Sequence, residues 1–250
     1  MISGRGPVVA LAAVVGACLG SFSVTAALRW ARDEPFVAGR SHCDACAAPL
    51  GFVETVPVWS YLRRGGCCAV CGAAIDPVHL VGEATGAVIA AMAFLVVPSV
   101  RAAPIVAIGL VLLAAAVVDA KTLRLPNALT LAVALLGVGL SASRSLTALA
   151  IGLTAALVAW VLMMAVGAGY RAVRGRTGLG FGDVKLVAAL ALWLGLLTPW
   201  AVALAAGGAL VMSLIRGRSR QRIAFGPAIA AGGWLVGMIM EAGLWPTSAI

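Results

Sequence analysis

Acidic side chains are scarce in this sequence: its 250 residues include nine Asp and Glu, two His and two Tyr, and charged residues of both signs make up only 11%. A soluble domain devotes about a quarter of its residues to charge, so the composition excludes a water-soluble globule. What fills the chain instead is 62% hydrophobic residues, with a mean hydropathy of +1.07. A helix crossing a bilayer needs roughly 20 mostly apolar residues, and runs near that length recur. We read eight spans, at 7–28, 83–99, 102–118, 127–143, 146–168, 184–198, 199–215 and 225–243. The expected fold is therefore an all-α polytopic membrane protein surrounded by lipid. The first run follows Arg5, but no small-x-small cleavage site precedes a soluble domain, so it reads as a span and not as a secretory leader. Heptads, fixed-period repeats and low-complexity tracts are absent.

A net charge of +9 would suit nucleic acid if the basic residues clustered on one face, but they alternate along the chain instead. The first, third, fifth and seventh loops carry Arg29, Arg32, Arg40, Arg63 and Arg64; Lys121 and Arg124; Arg171, Arg174, Arg176 and Lys185; and Arg216, Arg218, Arg220 and Arg222. These are 15 of the 18 Lys and Arg residues, leaving Arg5, Arg101 and Arg144 for the other side. The positive-inside rule then puts the odd-numbered loops in the cytoplasm and both termini outside. A basic rim of this kind calls for no nucleic-acid partner. The seven Trp residues, Trp30, Trp59, Trp160, Trp193, Trp200, Trp234 and Trp245, include several near span ends, where interfacial anchoring explains them.

Only one polar segment is long enough to form a domain. Residues 29–82 hold five of the nine acids, and their Gly, Pro and Cys content points to turns and short strands. Roughly fifty residues bury too little apolar surface to fold securely without a staple. One is present in Cys43-Asp44-Ala45-Cys46 and Cys68-Ala69-Val70-Cys71, two C-x-x-C turns separated by 21 residues. Two such turns can close a tetrahedral four-sulfur shell around zinc, leaving no open position, so the ion would be structural. Two disulfides are the rival, disfavoured in a reducing cytoplasm. Cys67 offers itself as a substitute for Cys68 at a less common spacing; Cys18, inside a span, reads as packing, and the lone His79 as a surface or packing residue. The expected division is a first span over 1–28, a cytoplasmic zinc-binding domain over 29–82 and a membrane domain over 83–250.

Beyond Glu83 the only acids are Asp119, Asp183 and Glu241. A carboxylate within a spanning helix costs about 2.5–3.5 kcal/mol on insertion scales, so each one requires an explanation. Asp119 closes the third span and Asp183 opens the sixth. The charge pattern puts both at cytoplasmic helix ends, where residues 64 positions apart can meet. Two facing carboxylates that share a proton can activate water and polarise a carbonyl, and the glycines before Asp183 allow a peptide backbone to approach. From the residues alone the two are equally readable as ordinary partners of Lys121 and Lys185.

The arrangement of these residues resembles the bacterial type IV prepilin peptidases, members of the Gly-x-Gly-Asp membrane aspartyl proteases. The likeness covers nearly the whole chain. The family's Asp followed about seven residues later by Pro and Asn corresponds to Asp119 with Pro126-Asn127. Its Gly-x-Gly-Asp-x-Lys-Leu corresponds to Gly180-Phe181-Gly182-Asp183-Val184-Lys185-Leu186. Further matches are Gly20-Ser21-Phe22 with Arg29, the paired C-x-x-C turns, Pro57 with Ser60-Tyr61-Leu62, Glu83, and Phe225-Gly226-Pro227. The resemblance implies an inner-membrane endopeptidase that cuts the basic leader of a prepilin or pseudopilin after its Gly, with Asp119 and Asp183 catalytic. Gly180, Gly182 and Lys185 are then expected to meet substrate, and Cys43, Cys46, Cys68 and Cys71 to bind zinc. Many members also methylate the new N-terminus with S-adenosylmethionine. Two departures fall in the third of the chain that the family associates with methylation. Ser23-Val24 stand where an Asn is usual, and His79-Leu80 replace a Tyr-Pro. No glycine-rich nucleotide turn after a strand marks a methyl-donor site.

Two other classes compete. An ion-coupled transporter predicts carboxylates near the midplane and matched broken helices in inverted halves, whereas these aspartates sit at helix ends among glycines. A zinc-ribbon membrane scaffold accounts for the cysteines and leaves the aspartates unexplained.

Overall fold

The structure is a computed structural model that describes residues 5–35, 40–175, 178–215 and 224–245, the side chain of Ser99 excepted. Arg176, Arg216, Arg218, Arg220 and Arg222 lie outside the described residues. Among the described residues there are nine α-helices: α1 (Gly6–Ala31), α2 (Trp59–Arg63), α3 (Val78–Val96), α4 (Ser99–Thr122), α5 (Asn127–Arg144), α6 (Leu146–Arg174), α7 (Phe181–Leu194), α8 (Thr198–Ile215) and α9 (Gly226–Glu241). Six stretches are long and apolar enough to cross a membrane, the last being Phe181–Ile215, which combines α7 and α8. The break between those two follows from Gly195, whose φ of 56° only glycine adopts freely, and from the 3-10 turn Gly195–Leu197. At 16 residues α9 is shorter than the six.

The chain forms two compact units, Met1–Val106 and Ala107–Ile250. In the first, α1 packs along α3 through glycines at matching spacing, Gly16 and Gly20 against Gly82 and Gly86. A Cβ built on Gly16 would strike the Gly86 carbonyl oxygen, and one on Gly20 the Gly82 carbonyl oxygen. Small residues four apart on both helices let the backbones touch, the means by which helices associate where lipid is as apolar as their side chains. The segment between α1 and α3 departs from expectation. Its strands are reduced to two isolated bridges, His42–Pro49 and Cys67–Ala74. Two short helices, the 3-10 turn Phe52–Thr55 and α2, occupy the middle.

In the second unit α7 is central, packed on α5, α6 and α9, with α8 against α9. Its core includes Leu186, Leu190, Trp193 and Leu194. Trp193 is fully buried rather than an interfacial anchor. The opposite case is α6, started by Ser145, whose hydroxyl accepts the Ala148 amide at 2.9 Å, and ended at Gly175 in the left-handed conformation. Leu153, Leu157, Val158, Val161 and Leu162 along it are exposed, a surface suited to lipid and not to water.

Candidate functional site

In the first unit the four sulfurs of Cys43, Cys46, Cys68 and Cys71 all lie within 4.8 Å of one another. Two turns of one design bring them there, offset by 25 residues. The Cys43 amide donates to the Ala48 carbonyl, the Ala47 amide to the Cys43 carbonyl and the Ala45 amide to the Cys43 sulfur; Cys68, Ala73, Gly72 and Val70 repeat the pattern. Each turn has a residue at positive φ in the same place, Ala47 at 57° and Gly72 at 71°. Four sulfurs on a tetrahedral ion with 2.3 Å bonds stand about 3.8 Å apart; Cys43 Sγ and Cys71 Sγ are at 3.9 Å. All six cysteines are free thiols. Cys67 stays out of the group, its thiol directed to the Gly65 carbonyl. Beside Cys43, the Arg32 guanidinium donates to both oxygens of Asp44 at 3.0 and 2.9 Å and so holds that carboxyl below its ordinary range.

Another matched position of this unit is Glu83, placed at the start of a span by sequence but buried inside α3. Its carboxylate accepts the Ser21 hydroxyl at 2.9 Å and the Val58 amide at 2.7 Å. It thereby joins α1, the turn before α2, and α3. Val58 sits at φ 61°, costly for a β-branched residue; the bond to Glu83 helps to hold it there. Ser21, Arg29, Asp44, Tyr61, His79 and Glu83 line a cavity of about 610 Å³.

In the second unit Asp119 and Asp183 are brought close enough for their charges to interact. Asp119 is buried three residues before the end of α4, which Leu123 stops by taking φ 55° and donating to the Asp119 carbonyl at 2.8 Å. Asp183 is the third residue of α7, its carboxylate turned back to the Gly180 amide. A Cβ on Gly180 would stand 2.9 Å from Asp183 Oδ2, and one on Gly182 3.0 Å from the Leu125 side chain. Lys185 Nζ donates to Asn127 Oδ1 and lies 5.0 Å from the centre of the Phe181 ring. The stretch after Asp119 and the stretch around Asp183 are thus tied to each other.

Two features escaped the sequence reading. Asp119 Oδ2 accepts the Gly226 amide at 2.8 Å. Twenty-odd ångströms along the same helices, at about 1.5 Å per residue, Glu241 accepts from Arg144 Nη2 and from Trp193 Nε1 at 3.1 Å, while Arg144 Nη1 donates to the Trp193 carbonyl at 3.1 Å. The second had a signal in the sequence: Glu241 is one of three acids beyond Glu83, and Arg144 one of three bases assigned to the outer side.

Comparison with known proteins gives the same division of the chain. Residues 14–97 match the bacterial Peptidase A24 N-terminal domain and residues 105–216 the type IV leader peptidase family. A prepilin leader peptidase/N-methyltransferase of Burkholderia pseudomallei is 33% identical over 201 residues, covering 78% of this chain and 65% of its own. Relatives of the same name from Klebsiella pneumoniae (32% over 156 residues, 62% of this chain and 68% of theirs) and Pectobacterium carotovorum subsp. carotovorum (31% over 208 residues, 80% and 74%) are similar. The chain spans just under two thirds of the Burkholderia relative's length. No solved structure matches. By these relatives and the two adjoining matches, the chain is a multi-pass membrane protein belonging to the type IV leader peptidase family.

Proposed function

We propose that this chain is an aspartic endopeptidase of the bacterial inner membrane that cuts the basic leader of prepilins or pseudopilins after its Gly, with Asp119 and Asp183 as the catalytic pair. The observation that carries the reading is that two carboxylates, rare in an apolar chain, lie close enough for their charges to interact, one near the end of α4 and the other at the start of α7. In this mechanism the ionised carboxylate takes a proton from a water held between the pair, and the protonated partner gives its proton to the scissile carbonyl oxygen. As the tetrahedral intermediate collapses and the C–N bond breaks, the first carboxyl protonates the leaving amine. The second recovers its proton from the intermediate's hydroxyl, so the pair ends as it began. The substrate backbone would run past Gly180 and Gly182, bordered by Lys185.

Residues 1–28 would then serve as first span, 29–82 as zinc domain and 83–250 as protease domain. Cys43, Cys46, Cys68 and Cys71 would hold a structural zinc. Lys121, Arg124 and Lys185 belong to the aspartate end of the second unit and Arg144 to the opposite end, which supports a cytoplasmic active site. S-adenosylmethionine, implied by the relatives' names, would supply a methyl group to the new N-terminus. The cavity beside Glu83 has the size of a small-molecule site, and its lining carries five carboxylates against three guanidiniums, a balance that favours a sulfonium cation. Incubating the purified protein with a prepilin-leader peptide, with and without S-adenosylmethionine, and weighing the products tests both activities. Asp119→Asn and Asp183→Asn should each abolish cleavage while zinc content and membrane insertion stay intact. A folded variant of either kind cutting at wild-type rate removes that residue from the mechanism.

A further inference from the structure

We infer that Gly226 is a positioning residue, whose backbone amide at the start of α9 fixes Asp119 in its working orientation. Amides at the start of a helix lack the regular partner one turn back, and those of α9 from Gly226 onward can be accounted for. Pro227 has no N–H to satisfy. The Ala228 and Ile229 amides both turn to the Phe225 carbonyl at 3.1 Å. That leaves the Gly226 amide, and no side chain at the N-cap accepts it. The acceptor comes from 107 residues earlier in the chain: Asp119 Oδ2, at 2.8 Å and buried. Asp119 therefore caps α9 in place of the usual Ser, Thr, Asp or Asn. With Oδ2 held, the carboxylate plane is set, and Oδ1 remains for water and Asp183.

The site also demands glycine. A Cβ at position 226 would lie 2.7 Å from Asp119 Oδ2 and 2.9 Å from both Cβ and Cγ of Asp119. Contact with Asp119 Cβ means that rotating the carboxylate cannot relieve the clash; α4 or α9 would have to move. Farther along α9, the atoms nearest a Cβ on Gly233 all belong to the Leu190 side chain, the closest at 2.6 Å, so a methyl there strains packing away from Asp119. The two glycines of one helix thus separate an effect on Asp119 from an effect on packing.

The kinetic half of the test rests on the peptidase reading; the exchange half does not. Gly226→Ala should lower kcat for a leader peptide by about 100-fold, the scale of a misplacement near 1 Å. KM should stay within a few-fold and the pH–rate profile should shift, because the carboxylate's environment has changed. Gly233→Ala should leave kcat and the profile as in wild type. Independently, hydrogen exchange at the Gly226 amide should run roughly tenfold faster in Asp119→Ala than in wild type, the loss of one hydrogen bond. This second measurement uses a variant that only removes atoms and so stands even if Gly226→Ala does not fold. Unchanged exchange in Asp119→Ala, or a folded Gly226→Ala with wild-type kcat and pH profile, overturns the inference. A wild-type protein that cuts no leader, yet shows the faster exchange in Asp119→Ala, overturns the peptidase reading and retains the capping bond.

Discussion

Replacing Arg144 by Met removes one partner of the buried Arg144–Glu241 ion pair, at the end of the second unit remote from the aspartates. The helices α5, α7 and α9, of 18, 14 and 16 residues, all start near Asp119 and Asp183 and finish in this cluster. At about 1.5 Å per residue the distance from the aspartates is about 21–27 Å. Two effects compete in setting the magnitude. The interhelical hydrogen bonds given up are worth about 0.6 kcal/mol each within a membrane, about 1 kcal/mol in all. Stranding a charge in a buried pair costs about 3–5 kcal/mol. The Glu241 side chain is 1% exposed, so losing one partner of the buried ion pair outweighs the hydrogen bonds, and Arg144→Met should destabilise by about 3 kcal/mol, on the order of a hundredfold in the folding equilibrium.

The reverse replacement should be milder. Gln at 241 keeps the size of Glu and an oxygen to accept from Trp193 and Arg144, and the Arg144 side chain, 17% exposed, can carry its charge to water on its apolar stem. Glu241→Gln should cost about 1 kcal/mol, the worth of a weakened hydrogen bond, and the double variant little more. Unfolding in mixed micelles of rising dodecyl sulfate content, followed by circular dichroism, measures all three. Leader cleavage per folded molecule should stay at the wild-type level throughout. If Arg144→Met proves no worse than Glu241→Gln, and the single costs sum to the double within about 0.5 kcal/mol, the buried-charge argument is refuted.

Three further outcomes are expected. With Asp119 and Asp183 acting as proposed, cleavage by the wild-type protein should follow a bell-shaped pH profile, since such a pair works with one proton between its members and stops on losing or gaining one; the double Asn variant should be no slower than either single, because a pair of that kind acts as a unit. Elemental analysis should find one zinc per chain, and chelation should unprotect residues 40–76 to hydrogen exchange while the α1–α3 glycine contact stays protected; metal-free, oxidised protein with unchanged protection would count against it. Ala47→Gly should raise the stability of the zinc-binding segment by about 0.5–1 kcal/mol, read as slower zinc loss to a chelator, because an L-residue in the left-handed region costs about 1–2 kcal/mol and glycine returns part of that as chain entropy.

How far the fold was legible depended on whether a residue's partner was local. Span positions came out well: all eight expected spans overlap a helix with ends within about six residues, and the 198/199 division falls beside the turn at Gly195. The five-residue discrepancy at the start of α3 has a physical cause. Sequence reasoning started that span at Glu83 because a carboxylate reads as outside, whereas the structure starts the helix at Val78 and satisfies Glu83 with Ser21 and Val58. The knuckles were legible because a C-x-x-C turn is a local object. Strands were expected around them, but with the turns already closed by their own amides the chain forms only single bridges there.

The site divides in the same way. Asp119 and Asp183 could be singled out because a charge in an apolar chain must be explained wherever the fold puts it. The roles of Phe225-Gly226-Pro227 and of Lys185 could not, because they depend on which helix ends meet. Glycine followed by proline announces a helix start without an N-cap side chain, and an uncapped start that is buried requires an acceptor from elsewhere. Acceptors are few among the acids beyond Glu83: Asp119, Asp183 and Glu241. Glu241 lies a full helix length from Gly226, and Asp183 turns back on its own helix start at Gly180. Elimination among three acids leaves Asp119, so the shortage of carboxylates that marks the two aspartates also narrows the search for what holds one of them. A chain rich in surface acids would have hidden both.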